Sequence, residues 1–221
     1  HGTLLKQMNT KPQSFFQKLS FWKKQNEFSV FTLDEDIIRL NKIYQQNGFL
    51  YPKINYELVP TKNNKKTDIK INVNEGTAVI IDSVKTTFTK NIDHKLIDSL
   101  KLLIPLKSGT RFLDKNVIAS EKIIQDIFKS KGFPYISVNK EIRLKQQNKS
   151  VNITFIISPG NRSYFGNISL SGDSLTSKTL INKQIEIKPG QVFSQIKLEK
   201  TQEKLFDLNL FNYVLVKALM D

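Results

Sequence analysis

The sequence predicts an α+β fold of tandem β-α-α-β-β units, each a three-stranded mixed sheet covered by two helices. Three observations carry this reading. Two segments align at a constant offset of 84 residues, so that Gly48 and Gly76 fall on Gly132 and Gly160. Within each segment a helical stretch is followed by two strand-like runs and a closing glycine, the element order of a small α+β unit. A third copy begins after Gly160, where Pro189-Gly190-Gln191-Val192-Phe193 matches Ser108-Gly109-Thr110-Arg111-Phe112. A period of this length signals stacked modules, and the boundaries follow as 1–77, 78–161 and 162–221.

The second unit is complete, so its elements can be justified in order. Ile80 to Thr87 reads as a strand, with Ile80, Asp82 and Val84 on one face. His94 to Leu103 reads as a short helix carrying Leu96, Ile97, Leu100 and Leu103 at helical spacing. Ser108-Gly109 is a turn. Lys115 to Lys131 is a longer helix with Val117, Ile124, Ile127 and Phe128 on one stripe, interrupted by Ser120 and Glu121. Gly132 is a natural C-cap, because glycine takes the left-handed conformation without a steric penalty. Two strands follow, joined by the polar turn Gln146-Gln147-Asn148-Lys149. The last, with Val151, Ile153, Phe155 and Ile157 on one face and little charge, is predicted to be central. Ile136–Arg143, with Lys140, Glu141 and Arg143, is predicted to be an edge.

The flanking units follow the same template with differences. The first runs from a helix over Leu33–Gln46 through Asn47-Gly48-Phe49 to two strands and Asn74-Glu75-Gly76, and is expected to lack an opening strand ahead of Leu4. The third is expected to open with a strand around Phe165–Leu170, to carry Asn209-Leu210-Phe211 in place of Gly-Phe, and to lack its last strand after Leu219.

Composition limits the chemistry. The chain has 221 residues and no cysteine, which excludes disulfides, thiolate metal sites and cysteine nucleophiles. Its two histidines, His1 and His94, cannot build a multi-histidine metal site. No apolar run reaches the roughly 18–20 residues of a membrane-spanning helix. Asp34, Glu35 and Asp36 cluster where a helix N-terminus is predicted, a placement that complements the helix dipole. Ser171-Gly172-Asp173-Ser174 has no neighbouring histidine to act as base. Neither a catalytic constellation, nor a metal site, nor a cofactor site is expected. The formal charge of +14 favours acidic partners, but the lysines are spread along the chain among Asn and Ile.

Taken together, the turn-strand Phe165-Gly166-Asn167-Ile168-Ser169-Leu170-Ser171-Gly172-Asp173, the Ser-Gly-x-x-Phe and Pro-Gly-x-x-Phe helix entries, the Gly-Phe or Leu210-Phe211 step before an outgoing strand, and the closing Glu75-Gly76 and Pro159-Gly160 resemble the POTRA (polypeptide-transport-associated) repeats of the BamA/TamA outer-membrane protein family. The resemblance covers about residues 31–221, and Asn209 departs from it where glycine is usual. It implies a periplasmic arm upstream of a membrane β-barrel, a binding scaffold with no enzymatic activity. The implied partners are unfolded outer-membrane proteins and accessory assembly lipoproteins.

Two candidate sites emerge. In related POTRA domains the strand after the second helix lies at an edge; here that assigns Lys53, Ile54 and Tyr56, then Ile136, Val138, Lys140 and Ile142, then Tyr213, Val214 and Val216. An open edge offers unpaired N–H and C=O groups to an extended client; the opposing reading is that Lys53, Glu57, Lys140 and Arg143 blunt these edges. The second site is a basic aromatic patch, Phe15, Phe16, Lys18, Phe21, Trp22 and Lys23. It suits anionic lipid headgroups or client aromatics, or else fills the first unit's core. Alternatives to the barrel arm are a two-partner secretion transporter, a cell-division scaffold and, in a different class, a basic nucleic-acid-binding protein. No nucleic-acid partner is expected, because only residues 15–24 interleave aromatics with lysines.

Overall fold

A computed structural model describes residues 8–10, 29–61, 67–145, 147, 149–172 and 177–219. Helix α1 (Val30–Gln46) turns Leu33, Leu40 and Tyr44 inward. The Gly48 turn leads into strands β1 (Lys53–Pro60) and β2 (Thr67–Asn74). These two pair antiparallel along their full length, from Lys53 opposite Asn74 to Pro60 opposite Thr67. Met8 joins Leu33, Leu40, Tyr44 and Ile54 in the first core, against which Phe49, Tyr56, Ile69 and Ile71 pack.

The second repeat supplies strand β3 (Ile80–Phe88), helices α2 (His94–Leu103) and α3 (Asp114–Ser130), and strands β4 (Ser137–Lys145) and β5 (Ser150–Ser158). Its sheet is mixed, in the order β3-β5-β4. The β3–β5 pair is parallel, since Ser83 meets Asn152, Thr87 meets the Phe155 carbonyl and the Thr89 N–H reaches the Ile157 carbonyl. Val151, Ile153, Phe155 and Ile157 are all buried, as a central strand requires. Phe128 packs between Phe88 and Phe133. Details differ from the sequence reading. The inward residue of β3 is Ile81, not Ile80 and its parity; of the α2 stripe only Leu100 is buried, while Leu103 is exposed. Ser120 does not interrupt the α3 stripe but lies within it, fully buried.

The third repeat contains helices α4 (Lys178–Gln184) and α5 (Gln195–Phe206). Phe165, Ile187, Phe193 and Leu198 form its core, with Val216 and Ala218 packed against them. The opening strand predicted near Phe165–Leu170 is reduced to one isolated bridge, Tyr164 with Val192. No described helix is long and apolar enough to cross a membrane.

By density of contacts the chain divides into two compact units, His1–Asp82 with Lys107–Lys115 and Leu144–Val151, and Ser83–Leu106 with Asn116–Arg143 and Asn152–Asp221. Each unit contains one joint between successive repeats, and both joints use the same main-chain bonds. In the first unit the Val79 N–H donates to the Gly48 carbonyl at 2.8 Å, and the Val79 carbonyl accepts from Phe112 at 2.9 Å. In the second the Ser163 N–H donates to the Gly132 carbonyl at 2.8 Å, and its carbonyl accepts from Phe193 at 2.9 Å. A Cβ on Gly48 would lie 2.5 Å from the Phe112 carbonyl oxygen, and one on Gly132 would lie 2.6 Å from Val192. Glycine is therefore needed twice over, for its positive φ and for the close approach. Arg111 seals the first joint: its guanidinium lies 4.1 Å from the Phe49 ring centroid and its Nε donates to the Asn47 carbonyl.

Candidate client-binding edges

The edge at β4 is built from the helix that precedes it. Gly132, at φ 103°, ends α3, and the Phe133 N–H returns to the Phe128 carbonyl, which turns the chain toward the sheet. Ile136 falls just ahead of β4. Val138 is the one buried residue of the strand, and Ile142 and Leu144 are about 40% exposed. Both edges of β5 are occupied, so β4 and β3 are the outer strands of this sheet. The charges on β4 have acidic or basic partners nearby. Lys140 pairs with Glu121 on α3 at 2.7 Å, Arg143 with Glu141 at 2.7 Å, and Lys145 with Asp82 at 3.2 Å.

In the first repeat, β1 has one partner, β2, among the described residues. Lys53 is exposed and Ile54 is buried in the core. The half-buried Tyr56 donates its hydroxyl to Asp34 Oδ1 at 2.9 Å. That hydrogen bond, with burial and the carboxylate's charge, raises the phenol's pKa above its ordinary value. Glu57 is engaged by Lys70 and Asn72 of β2.

The third candidate edge is corrected. Tyr213, Val214 and Val216 lie on a segment that forms no ladder with any described strand. The segment nevertheless alternates, with Val214, Val216 and Ala218 half-buried and Tyr213, Leu215 and Leu219 exposed. A single main-chain anchor is visible, the Val216 N–H donating to Gln202 Oε1 at 2.9 Å. The burial has a strand's period of two, but a ladder needs a hydrogen-bonding neighbour. The three sets of candidate residues belong to separate repeats. The aromatic patch Phe15, Phe16, Lys18, Phe21, Trp22 and Lys23 lies outside the described residues.

The acidic cluster at the start of α1 is also corrected. The helix begins at Val30, so Asp34, Glu35 and Asp36 lie beyond its first turn. Asp36 is fully buried and accepts the backbone N–H groups of Asn9 at 2.8 Å and Thr10 at 2.7 Å, with Arg39 at 2.7 Å. Burial opposes its charge, but the bonds from residues 9–10 and the Arg39 guanidinium outweigh it and hold the carboxyl below its usual range. Ser120 and Thr201 occupy the corresponding helix positions and are likewise buried. Ser120 donates to the Asn116 carbonyl, and Thr201 donates to Lys197 and accepts from the Glu186 N–H. The repeat alignment contains this signal, a polar residue at one register of each helix, and sequence reasoning passed over it. His94 is the exposed first residue of α2, and no group of three metal-ligating side chains occurs among the described residues.

The element order and the duplicated joint define a tandem β-α-α-β-β repeat protein. The family model described as POTRA, surface antigen variable number repeat, matches residues 3–76, 79–160 and 163–218, and the chain belongs to that family. Among curated proteins it is similar to the outer membrane protein assembly factor BamA of Buchnera aphidicola, 28% identical over 190 residues, covering 82% of this chain and 31% of that protein. BamA of Neisseria meningitidis is 23% identical over 197 residues, covering 89% of this chain and 24% of that protein. The chain thus spans about a third or less of these relatives. The crystal structure of Haemophilus influenzae BamA POTRA3-5 matches with a TM-score of 0.59 at 20% identity, covering 96% of this chain and 81% of that one, which establishes the shared fold.

Proposed function

We propose that this chain is a periplasmic polypeptide-binding scaffold of an outer-membrane protein assembly or translocation factor, and that β4 takes an extended client or partner segment as an added strand. The observation that carries the reading is the sheet order, with β4 outermost beside the central strand β5, whose Val151, Ile153, Phe155 and Ile157 are buried. Unfolded outer-membrane proteins are the clients this edge suits, because main-chain pairing is blind to client sequence. Accessory assembly lipoproteins and anionic lipid headgroups are the further partners of the reading. Each added hydrogen bond nets ~0.5–1.5 kcal/mol, whereas ordering the client costs ~1–2 kcal/mol per residue. The resulting contact is weak and releasable, as a hand-over step requires. Of the charges on this strand, Lys140 is drawn toward Glu121 on α3, which supports an edge left accessible.

Adjacent prolines test this. Along a strand alternate N–H groups face opposite neighbours, so of Asn139→Pro and Lys140→Pro one removes an outward donor and the other a bond to β5. The outward variant is expected to keep its circular dichroism spectrum and to bind an unfolded barrel-derived peptide several-fold more weakly. The other is expected to lose stability. Wild-type affinity in the folded variant would rule out β4 as the client edge.

A further inference from the structure

Each repeat contains the tripeptide Phe-x-Tyr at one register: Phe49-Leu50-Tyr51, Phe133-Pro134-Tyr135 and Phe211-Asn212-Tyr213. The chain has six tyrosines, so half of them stand at this position. In the first two repeats the phenylalanine turns inward; Phe49 meets Tyr44 edge-on at 5.8 Å and Phe133 meets Phe128 at 5.8 Å. The tyrosine two residues on turns outward, with Tyr51 64%, Tyr135 49% and Tyr213 75% exposed. The core therefore explains the first residue of the motif and leaves the last unexplained. In the first two repeats the position facing the tyrosine within its own unit is a glycine. A Cβ on Gly76 would lie 3.7 Å from the Tyr51 carbonyl oxygen, and one on Gly160 would lie 3.3 Å from the Tyr135 Cβ. The residue that approaches the tyrosine's backbone and Cβ thus contributes no side chain of its own.

Tyr51 and Tyr135 stand just ahead of β1 and β4, which each have one strand partner among the described residues. Only an extended backbone can pair with such an edge, and the residue it brings opposite an exposed ring becomes that ring's cross-strand partner. We propose that Tyr51 and Tyr135 are side-chain recognition positions, each receiving one aromatic residue of an extended polypeptide paired at its repeat. Aromatic partners fit best because ring pairs gain more than their buried area alone, and a tyrosine loses little rotamer freedom on binding. The inference rests on the edge reading given above and deepens it: main-chain pairing supplies attachment, and the tyrosine supplies a preference for aromatic-bearing strands.

The test uses the full chain and two nine-residue barrel-type peptides that alternate apolar and polar residues and differ only in tryptophan or alanine at one apolar position. Affinities are measured for wild type, for Tyr135→Ala and for a double Tyr51→Ala, Tyr135→Ala variant. Wild type is expected to favour the tryptophan peptide by about threefold to tenfold, and the double variant is expected to lose that preference while binding the alanine peptide as before. Tyr135→Leu, which keeps an apolar cover over Gly160, is expected to lose part of the preference without loss of thermal stability. The competing role is purely structural, a ring shielding the glycine opposite. In that case Tyr135→Ala melts earlier and the preference is unchanged, which overturns the proposal. Equal affinity of wild type for both peptides overturns it as well. If wild type binds neither peptide, the edge reading itself falls and takes the tyrosine role with it.

Discussion

Asp36 shows how one side chain can tie down a segment that the repeat template does not supply. Its two oxygens accept two part-buried main-chain donors, from Asn9 and Thr10. Asp36→Ala removes both acceptors; a fully buried unpaired donor costs ~1–3 kcal/mol, and one that water can reach costs less. A loss of about 1–3 kcal/mol is expected, read from urea unfolding with Arg39→Ala as the milder comparison. The carboxyl's folded-state pKa lies below its ordinary value of 3.8. Its stabilisation is therefore fully present above that value and is lost as pH falls through the lower folded value. The wild type is expected to weaken more steeply than Asp36→Asn on acidification below about pH 4, as followed by tryptophan fluorescence or circular dichroism. Ser120 and Thr201 carry no charge to lose and add no slope in that range.

At the scale of elements, the glycine joints invite a comparison within the same molecule. Gly48 and Gly109 both have positive φ, 84° and 80°. A Cβ on Gly48 meets the Phe112 carbonyl, whereas one on Gly109 meets nothing within 4 Å. Gly109→Ala is expected to cost only the conformational penalty, ~1–2 kcal/mol. Gly48→Ala is expected to cost more and to speed hydrogen exchange at the Val79 amide, which bonds to the Gly48 carbonyl. Equal costs and an unchanged Val79 would show that the joint tolerates the extra atom. The helices and the β4–β5 order were legible in the sequence because apolar spacing and charge placement carry them directly: Val151 to Ile157 read as central and Lys140 to Arg143 as an edge. The buried parity of β3 was not legible, since Ile80 and Ile81 are equally apolar and the choice is made by packing. Nor was the start of α1, where Val30 and Phe31 continue the helix ahead of Leu33 without a capping side chain to mark the end. The exposed tyrosines could have been found by aligning the three copies. The aromatic patch at residues 15–24 stands where the sequence reading left it.

For the whole molecule, the repeat boundaries and the two compact units divide the chain differently. Residues Lys107–Lys115 and Leu144–Val151 of the second repeat cluster with the first unit. The fragment 78–161 decides whether the repeat is nonetheless self-sufficient. It holds the whole three-stranded sheet and the Phe88–Phe128–Phe133 stack, and is expected to unfold in one cooperative transition by circular dichroism and near-ultraviolet absorption. A fragment with helical signal but no cooperative melt would place the folding unit across the repeat boundary. The joints bear on how such a chain grows. Their hydrogen bonds join carbonyl and amide groups, and the main side-chain demand they make is the absence of one at Gly48 and Gly132. A stretch from just after Gly48 through Gly132 holds the receiving half of one joint, Val79 and Phe112, and ends on the offering half of the next. Copied in tandem by a single gene duplication, such a stretch would arrive with both couplings already made. Side chains elsewhere would then be free to diverge, and the number of repeats could change between lineages without a new interface having to evolve.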